Sequence, residues 1–438
     1  MTIFKKSISN RKLPDFFSAI VVLVLSVTLL APATVRAMII GETGSHFNLT
    51  ASEGYISIAD GGSIYSWGYS NNGTMQLPGP TLIVDQGTTV TITLNNNLPA
   101  AAGNTSIVFP GHQVTTSSGV AGQITQEAPV GGSVTYSFVA NTPGTYQYHS
   151  GTRPDLQIEM GLYGAIIVRP SSPAVGCSVA SAYDHPKTCY DREYLYLLSE
   201  IDIDIHEAAQ QQATGPGPID VGSGPFHPEY WLLNGRAAPD TMASAGTSLL
   251  PNQPYNAMTR MHPGEKILLR VVGAGRDMHP FHTHGNHSQV LARDGRLLLS
   301  ATDSSQLAGP LLFTIPAAPG GTVDAIFGWT GKDLGWDIYG HKPSDPMEEH
   351  EWAPDHGKPI PVELPSLSSM AFGGFYSGSP FLGAMGSLPP GEGGLNPNAG
   401  YAYMWHSHTE REMVNNDVFP GGMMTMLIIE APSVVITE

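Results

Sequence analysis

The run Gly87-Thr88-Thr89-Val90-Thr91-Ile92-Thr93-Leu94 has a counterpart in Gly264-Glu265-Lys266-Ile267-Leu268-Leu269-Arg270-Val271. Each opens on a glycine and continues in residues of high β propensity. Tyr146-Gln147-Tyr148-His149-Ser150 likewise has a counterpart in Tyr403-Met404-Trp405-His406-Ser407, and the run 161–168 in 424–429. A chain that repeats the same strands in the same order builds one unit twice. Charged residues make up only 13% of the sequence, beside 50 Gly and 36 Pro, a balance that suits strands and turns rather than helices. The expected fold class is all-β, with two β-sandwich domains at 38–170 and 191–438. Residues 171–190 read as a polar linker that opens on Ser171-Ser172-Pro173.

Within the first domain, Leu77–Leu94 reads as a turn, a strand, a Gly turn and an alternating strand; Asn104–His112 and Ser133–Ala140 read as further strands, and Tyr194–Ile205 opens the second half with strand-forming residues. A Gly-, Pro- and Met-rich insertion interrupts the second sandwich at about 342–398. So long a stretch without periodicity reads as a lid, an interface or a mobile loop. Glu348, Glu349, His350, Glu351 and His356 form a small acidic and His cluster within it that reads as a solvated polar loop, with a metal site as the alternative.

Residues 1–37 have the pattern of an export signal. Lys5, Lys6, Arg11 and Lys12 form a basic start, Phe16 to Leu30 is apolar, and Val35-Arg36-Ala37 offers a small-residue cleavage site. The whole chain carries a formal charge of −17; cleavage would remove five basic residues and one acidic residue, leaving −21. Such acidity argues against nucleic acid and anionic membrane surfaces as partners. The expectation is a protein exported to the periplasm or the extracellular space, with no membrane insertion once the signal is removed. There Cys177 and Cys189, the two cysteines of the chain, are expected to pair. The short loop they close is worth about 3 kcal/mol by chain entropy. The other use for such a cysteine is as a metal thiolate.

The chemistry is concentrated in histidine. Met278-His279-Pro280-Phe281-His282-Thr283-His284-Gly285-Asn286-His287 places four His within nine residues, directly after a strand. Tyr403-Met404-Trp405-His406-Ser407-His408 carries a second His-x-His. In an extended segment, side chains two apart share a face, so each pair can grip one metal or two close ones. Imidazole suits copper, zinc, nickel or iron rather than calcium or magnesium.

These motifs resemble those of the multicopper oxidases, and the resemblance runs over most of the chain after residue 37. It implies two cupredoxin-like Greek-key sandwiches with no middle domain between them. It also implies a blue copper that draws electrons from substrate and a three-copper cluster that reduces dioxygen. Several ligands for those centres are missing here. His279 matches the first blue-site His, but Ser407 stands where the family has Cys, and Glu412 where it has the second His. A hydroxyl is not a soft, easily ionised ligand, so no blue centre is expected. Met423 or Met424 falls near the axial position, though each also reads as core. The family's first His-x-His-Gly is here Val108-Phe109-Pro110-Gly111, and its next His-x-His is His149-Ser150-Gly151.

Five of the eight cluster ligands remain: His149, His282, His284, His406 and His408. By the resemblance, His149 and His408 would share one copper, His284 and His406 a second, and His282 would hold a third position alone. His112 is a candidate substitute ligand if its strand continues past Gly111; a turn there would redirect it. The expected cofactor is copper, one or two ions per site, with zinc as the alternative. Two functions follow. One is an oxidoreductase with a reduced His-only copper site, acting on a small-molecule substrate or dioxygen. The other is a non-catalytic copper-binding, storage or assembly protein. Two-domain relatives close into rings, so the expectation extends to a homotrimer in which His149 of one copy meets His282, His284, His406 and His408 of the next.

Overall fold

The computed structural model describes residues 39–359 apart from 72, 223 and 333, the backbone of 378–379, and residues 401–437. The export segment 1–37 and most of the insertion, 360–377 and 380–400, lie outside the described residues.

Among the described residues, four larger sheets carry the chain, beside two of two strands each. The first sandwich has a five-stranded sheet in the order Ser63–Ser70, His46–Ser57, Thr89–Asn97, Ser133–Val139, Thr115–Ser118. It faces a four-stranded sheet in the order Glu42–Thr43, Leu82–Asp85, Tyr163–Arg169, Gly144–His149. Alternate residues of Thr89–Asn97 and Ser133–Val139 point inward, so Val90, Ile92, Leu94, Val134, Tyr136 and Phe138 meet Trp67, Tyr69 and Tyr148 in one core.

The second sandwich repeats the pairing scheme. His46–Ser57 runs parallel to Thr89–Asn97, which is antiparallel to Ser133–Val139. In the same way Arg192–Ile201 runs parallel to Lys266–Gly273, which is antiparallel to Thr322–Gly328. In the facing sheets, Leu82–Asp85 is parallel to Tyr163–Arg169, which pairs antiparallel with Gly144–His149. Thr259–Met261, Met424–Ile429 and Tyr401–Ser407 stand in the same relation. The repeat in the sequence is therefore a repeat in hydrogen-bonded topology. His279–His282 is an added strand beside Tyr401–Ser407, followed by Thr314–Ala317.

The two sandwiches share a dry contact. Ile56, Leu77, Tyr163 and Ala165 of the first pack on Leu195, Leu197, Leu232 and Val272 of the second. Lys266–Gly273 is covered on both faces, and its Arg270 is fully buried. Such a cation needs partners. Its Nε donates to Glu193 at 2.9 Å and an Nη donates to Thr145 Oγ1 at 3.0 Å, with Asp324 3.8 Å away.

Two local expectations are corrected. Tyr194–Ile205 is not one strand: the strand ends at Ile201 and a helix runs over Ile203–Gln212. The Asp202 side chain accepts the Ile205 amide at 3.4 Å, an N-cap that stops the strand and starts the helix. Asn104–His112 is not a strand but an extended segment held by the bridges Thr105↔Ala128 and Val108↔His149. In the segment 171–190 the expected disulfide is formed. Cys177 and Cys189 are disulfide-bonded with Cα atoms 5.2 Å apart, and Tyr183 and Tyr190 pack with Leu268 and Leu291.

Candidate metal centre

Two adjacent strands build the centre. His282 lies directly opposite His406 in the register of His279–His282 with Tyr401–Ser407. His284 and His408 follow two residues on, so the sheet's period of two brings four imidazoles together. Ring centres lie 4.9 Å apart for His282 and His284, 5.5 Å for His282 and His406, and 4.6 Å for His282 and His408. They lie 5.1 Å apart for His284 and His406, and 5.6 Å for His406 and His408. One pair aims its nitrogens at a common point: His284 Nε2 and His406 Nε2 are 3.2 Å apart. Two imidazoles bound about 2.0–2.1 Å from one tetrahedral metal would stand about 3.3 Å apart, so this pair fits an ion between them.

Groups behind the rings set their orientation. His406 Nδ1 donates to the Ser407 carbonyl at 2.6 Å, and His149 Nδ1 donates to the Ser150 carbonyl at 2.9 Å. A carbonyl only accepts, so in both repeats Nδ1 carries the proton and Nε2 keeps its lone pair for a metal. His282 Nδ1 bonds Thr314 Oγ1 at 2.7 Å, and Trp405 donates to the His284 carbonyl at 3.0 Å. Burial, reinforced by the charges of His408 and His406, pushes His282 down to about 4. Burial also lowers His406 and His149 from the ordinary imidazole value. Neutral imidazole is the form that ligates. His408 is the open edge of the group, its side chain 51% exposed.

His149 does not join the other four within the chain: among the described residues no ring contact links it to them. It ends the strand Gly144–His149, whose Thr145 donates to Asp324 at 2.6 Å. Asp324 lies on one sheet of the second sandwich; His282 and His406 lie on the other.

His112 stands apart as well. The chain turns at Gly111, where φ is +86°, and the His112 amide bonds back to the Phe109 carbonyl at 3.1 Å. Its ring lies against Phe138 and Tyr146, each 4.5 Å away between ring centres. Burial there lowers its pKa to about 4.

His279 has a different use. Its Nε2 bonds Glu200 at 2.8 Å and its Nδ1 bonds Glu412 at 3.0 Å. Ser407 Oγ donates to the same Glu412 oxygen at 2.5 Å. Burial alone would lower the His279 pKa, but hydrogen bonds and charge from Glu200 and Glu412 outweigh it and raise it to about 9. The ring is an imidazolium at neutral pH and offers no lone pair to a metal. Sequence reasoning missed Glu200. Its signal was an acid near the end of the largely apolar run Tyr194–Ile201.

Comparison with known proteins shows which family and fold the chain resembles. Residues 53–173 match the family model described as multicopper oxidase. The chain is 40% identical over 98 residues to the multicopper oxidase MCE of Talaromyces pinophilus, covering 22% of this chain and 15% of that one. It is 26% identical over 247 residues to the copper-containing nitrite reductase of Neisseria meningitidis serogroup B, covering 56% of this chain and 53% of that one. The chain spans about half or less of the length of the curated relatives it matches. The crystal structure of the blue copper oxidase from Nitrosomonas europaea superposes with a TM-score of 0.53 at 20% identity, covering 88% of this chain and 86% of that one, a likeness of fold.

Proposed function

From a chain that belongs with the multicopper oxidases and carries that family's domain over residues 53–173, we infer a copper protein with a His-only centre. One observation carries the reading: His284 Nε2 and His406 Nε2 stand 3.2 Å apart inside a group of four imidazoles. His282 and His408 flank that pair and extend the donor set. Copper bound there supplies one-electron chemistry to a small molecule or dioxygen.

The protein's own residues restrict how electrons arrive. In the family's first copper position, His279 is held between two carboxylates, and the serine hydroxyl of Ser407 is spent on Glu412. Copper held by His282, His284, His406 and His408 would then exchange electrons with substrate without a blue copper between them. His149 completes the donor set from a neighbouring copy, because in its own chain it packs away from the four imidazoles. A head-to-tail contact of this kind closes into a ring, and a homotrimer is the assembly proposed. Exposed Met278, Leu311 and Phe313 near these strands suit such a contact.

The test loads the chelator-stripped protein with copper and measures copper per chain, oxygen consumption with small-molecule reductants, and mass by light scattering. Copper binding with oxygen uptake supports the oxidoreductase. Copper binding without redox turnover selects a storage or assembly protein, the reading that the ion-paired His279 favours. Absence of copper binding overturns both.

A further inference from the structure

A second group of ligand-type side chains lies outside the centre already described. It sits in the segment that leaves the strand Thr322–Gly328 and continues to residue 359. Asp337, His341, Glu351 and His356 each offer one donor atom, and all four atoms lie within 4.8 Å of one another. We propose that these four residues form a metal site that takes one divalent ion of the zinc class, and that this ion clips the segment 337–356 into place.

The distances fit such an ion. His356 Nδ1 is 2.6 Å from Glu351 Oε1, and His341 Nδ1 is 3.2 Å from Glu351 Oε2. Both Nδ1 atoms lie 3.7 Å from Asp337 Oδ2. A tetrahedral zinc bound about 2.0–2.2 Å from nitrogen and carboxylate ligands spaces them about 3.3–3.5 Å apart, inside the observed range. Two imidazoles and two carboxylates are a donor set for zinc and its neighbours rather than for calcium or magnesium.

The charges call for a cation. The Asp337 side chain is fully buried and that of Glu351 is 3% exposed. To ligate, both imidazoles must be neutral; the four residues then carry two negative charges, which one divalent ion would neutralise in place of the ring protons that otherwise pair with Glu351 and Asp337. Buried charges are paired or bind metals. Lys332 lies over Trp352 and Lys358 pairs with Asp355, so neither of these two cations neutralises the pair of carboxylates.

The surroundings hold the ligands in place. Asp337 accepts the Tyr339 amide at 2.8 Å and the Gly357 amide at 2.7 Å. Gly357 takes φ +71°, and a Cβ there would meet Pro343 at 2.6 Å, so glycine is required beside His356. Glu351 accepts the Glu348 amide at 2.9 Å. Trp336, Ile338 and Tyr339 anchor the segment in the core of the second sandwich.

An independent observation points to a ligand. The Tyr339 ring stacks on His341 at 5.5 Å and 10°, and among the described residues its buried hydroxyl has no hydrogen-bond partner. A buried hydroxyl left unsatisfied is costly, and a water carried by the ion would satisfy it.

The sequence reading of Glu348, Glu349, His350, Glu351 and His356 as a solvated face is corrected in part. Glu348, Glu349 and His350 are exposed, but Glu351 and His356 turn inward onto Asp337 and His341.

The experiment reloads the chelator-stripped full chain with zinc alone and measures zinc per chain. Wild type, H341Q/H356Q and H284Q/H406Q are compared, each checked for native circular dichroism. H341Q/H356Q is expected to bind one zinc fewer than wild type, while H284Q/H406Q keeps that zinc. Equal zinc in wild type and folded H341Q/H356Q overturns the proposal. Should H341Q/H356Q not fold, Glu351→Gln preserves shape and both imidazoles; it is expected to weaken that zinc at least about tenfold. Unchanged zinc affinity in Glu351→Gln overturns the proposal as well. Loss of zinc only in H284Q/H406Q bears on the copper centre and refutes this second site.

Discussion

Glu412 accepts a hydrogen bond from His279 Nδ1 at 3.0 Å, while Glu200 holds the opposite nitrogen of the same ring at 2.8 Å. A ring that would otherwise be a ligand is thereby held as a buried cation between two acids. Its neighbour Ser407 donates to the same Glu412 oxygen, so both substitutions that remove a blue copper site also build this network. Breaking one member of such a buried pair costs about 3–5 kcal/mol.

Copper loading is expected to give no intense blue absorption. Ser407→Cys alone is expected to remain colourless, because Glu200 and Glu412 still occupy both nitrogens of His279. A visible spectrum of the copper-loaded single variant decides the matter; a strong thiolate band in it would contradict the ion-pair assignment.

Stability is expected to fall with rising pH through the His279 titration. The folded pKa is raised to about 9, above the ordinary value of 6.5. The contribution is therefore full below pH 6.5 and is lost as pH rises through about 9. Urea unfolding of metal-free protein across that window should show a decline on the order of 3 kcal/mol. His279→Gln should flatten the slope, and an equally steep slope in that variant would falsify the assignment.

Removal of His284 or His406 is expected to weaken copper binding about 100-fold or more, beyond the range for groups standing behind ligands. His112→Ala is expected to leave copper content unchanged and to cost about 1–3 kcal/mol, since its ring packs on Phe138 and Tyr146. Metal analysis and thermal melts of the three variants separate these roles. Copper loss in His112→Ala would place that ring in the site after all.

His149→Ala is expected to loosen the copper-loaded trimer rather than unfold the chain. A shared ion stabilises an assembly by mass action. Light scattering with and without chelator tests this. A monomer with full copper content would rule out a shared centre.

Much of this arrangement follows from local pattern. Alternation of apolar residues and paired glycine turns mark the strands, and their recurrence marks two units of one topology. His282 with His284, and His406 with His408, share faces because a strand repeats every two residues. Asp202 at the head of Ile203–Gln212 was a readable cap, overlooked because the preceding residues are strand formers.

Other features depend on which distant segments meet, and no local period encodes that. Register alone sets His282 beside His406. The turn at Gly111 sends His112 into an aromatic stack although its strand pattern continues. Glu200 and Glu412 are far apart in the chain and become partners only through His279. Asp337 and His341 gain Glu351 and His356 only because Gly357 can adopt a positive φ against Pro343. The sequence by itself determined the strands, their doubling and the imidazoles available. The tertiary structure decided which of them face a shared ion, because that depends on long-range packing and the charge it buries.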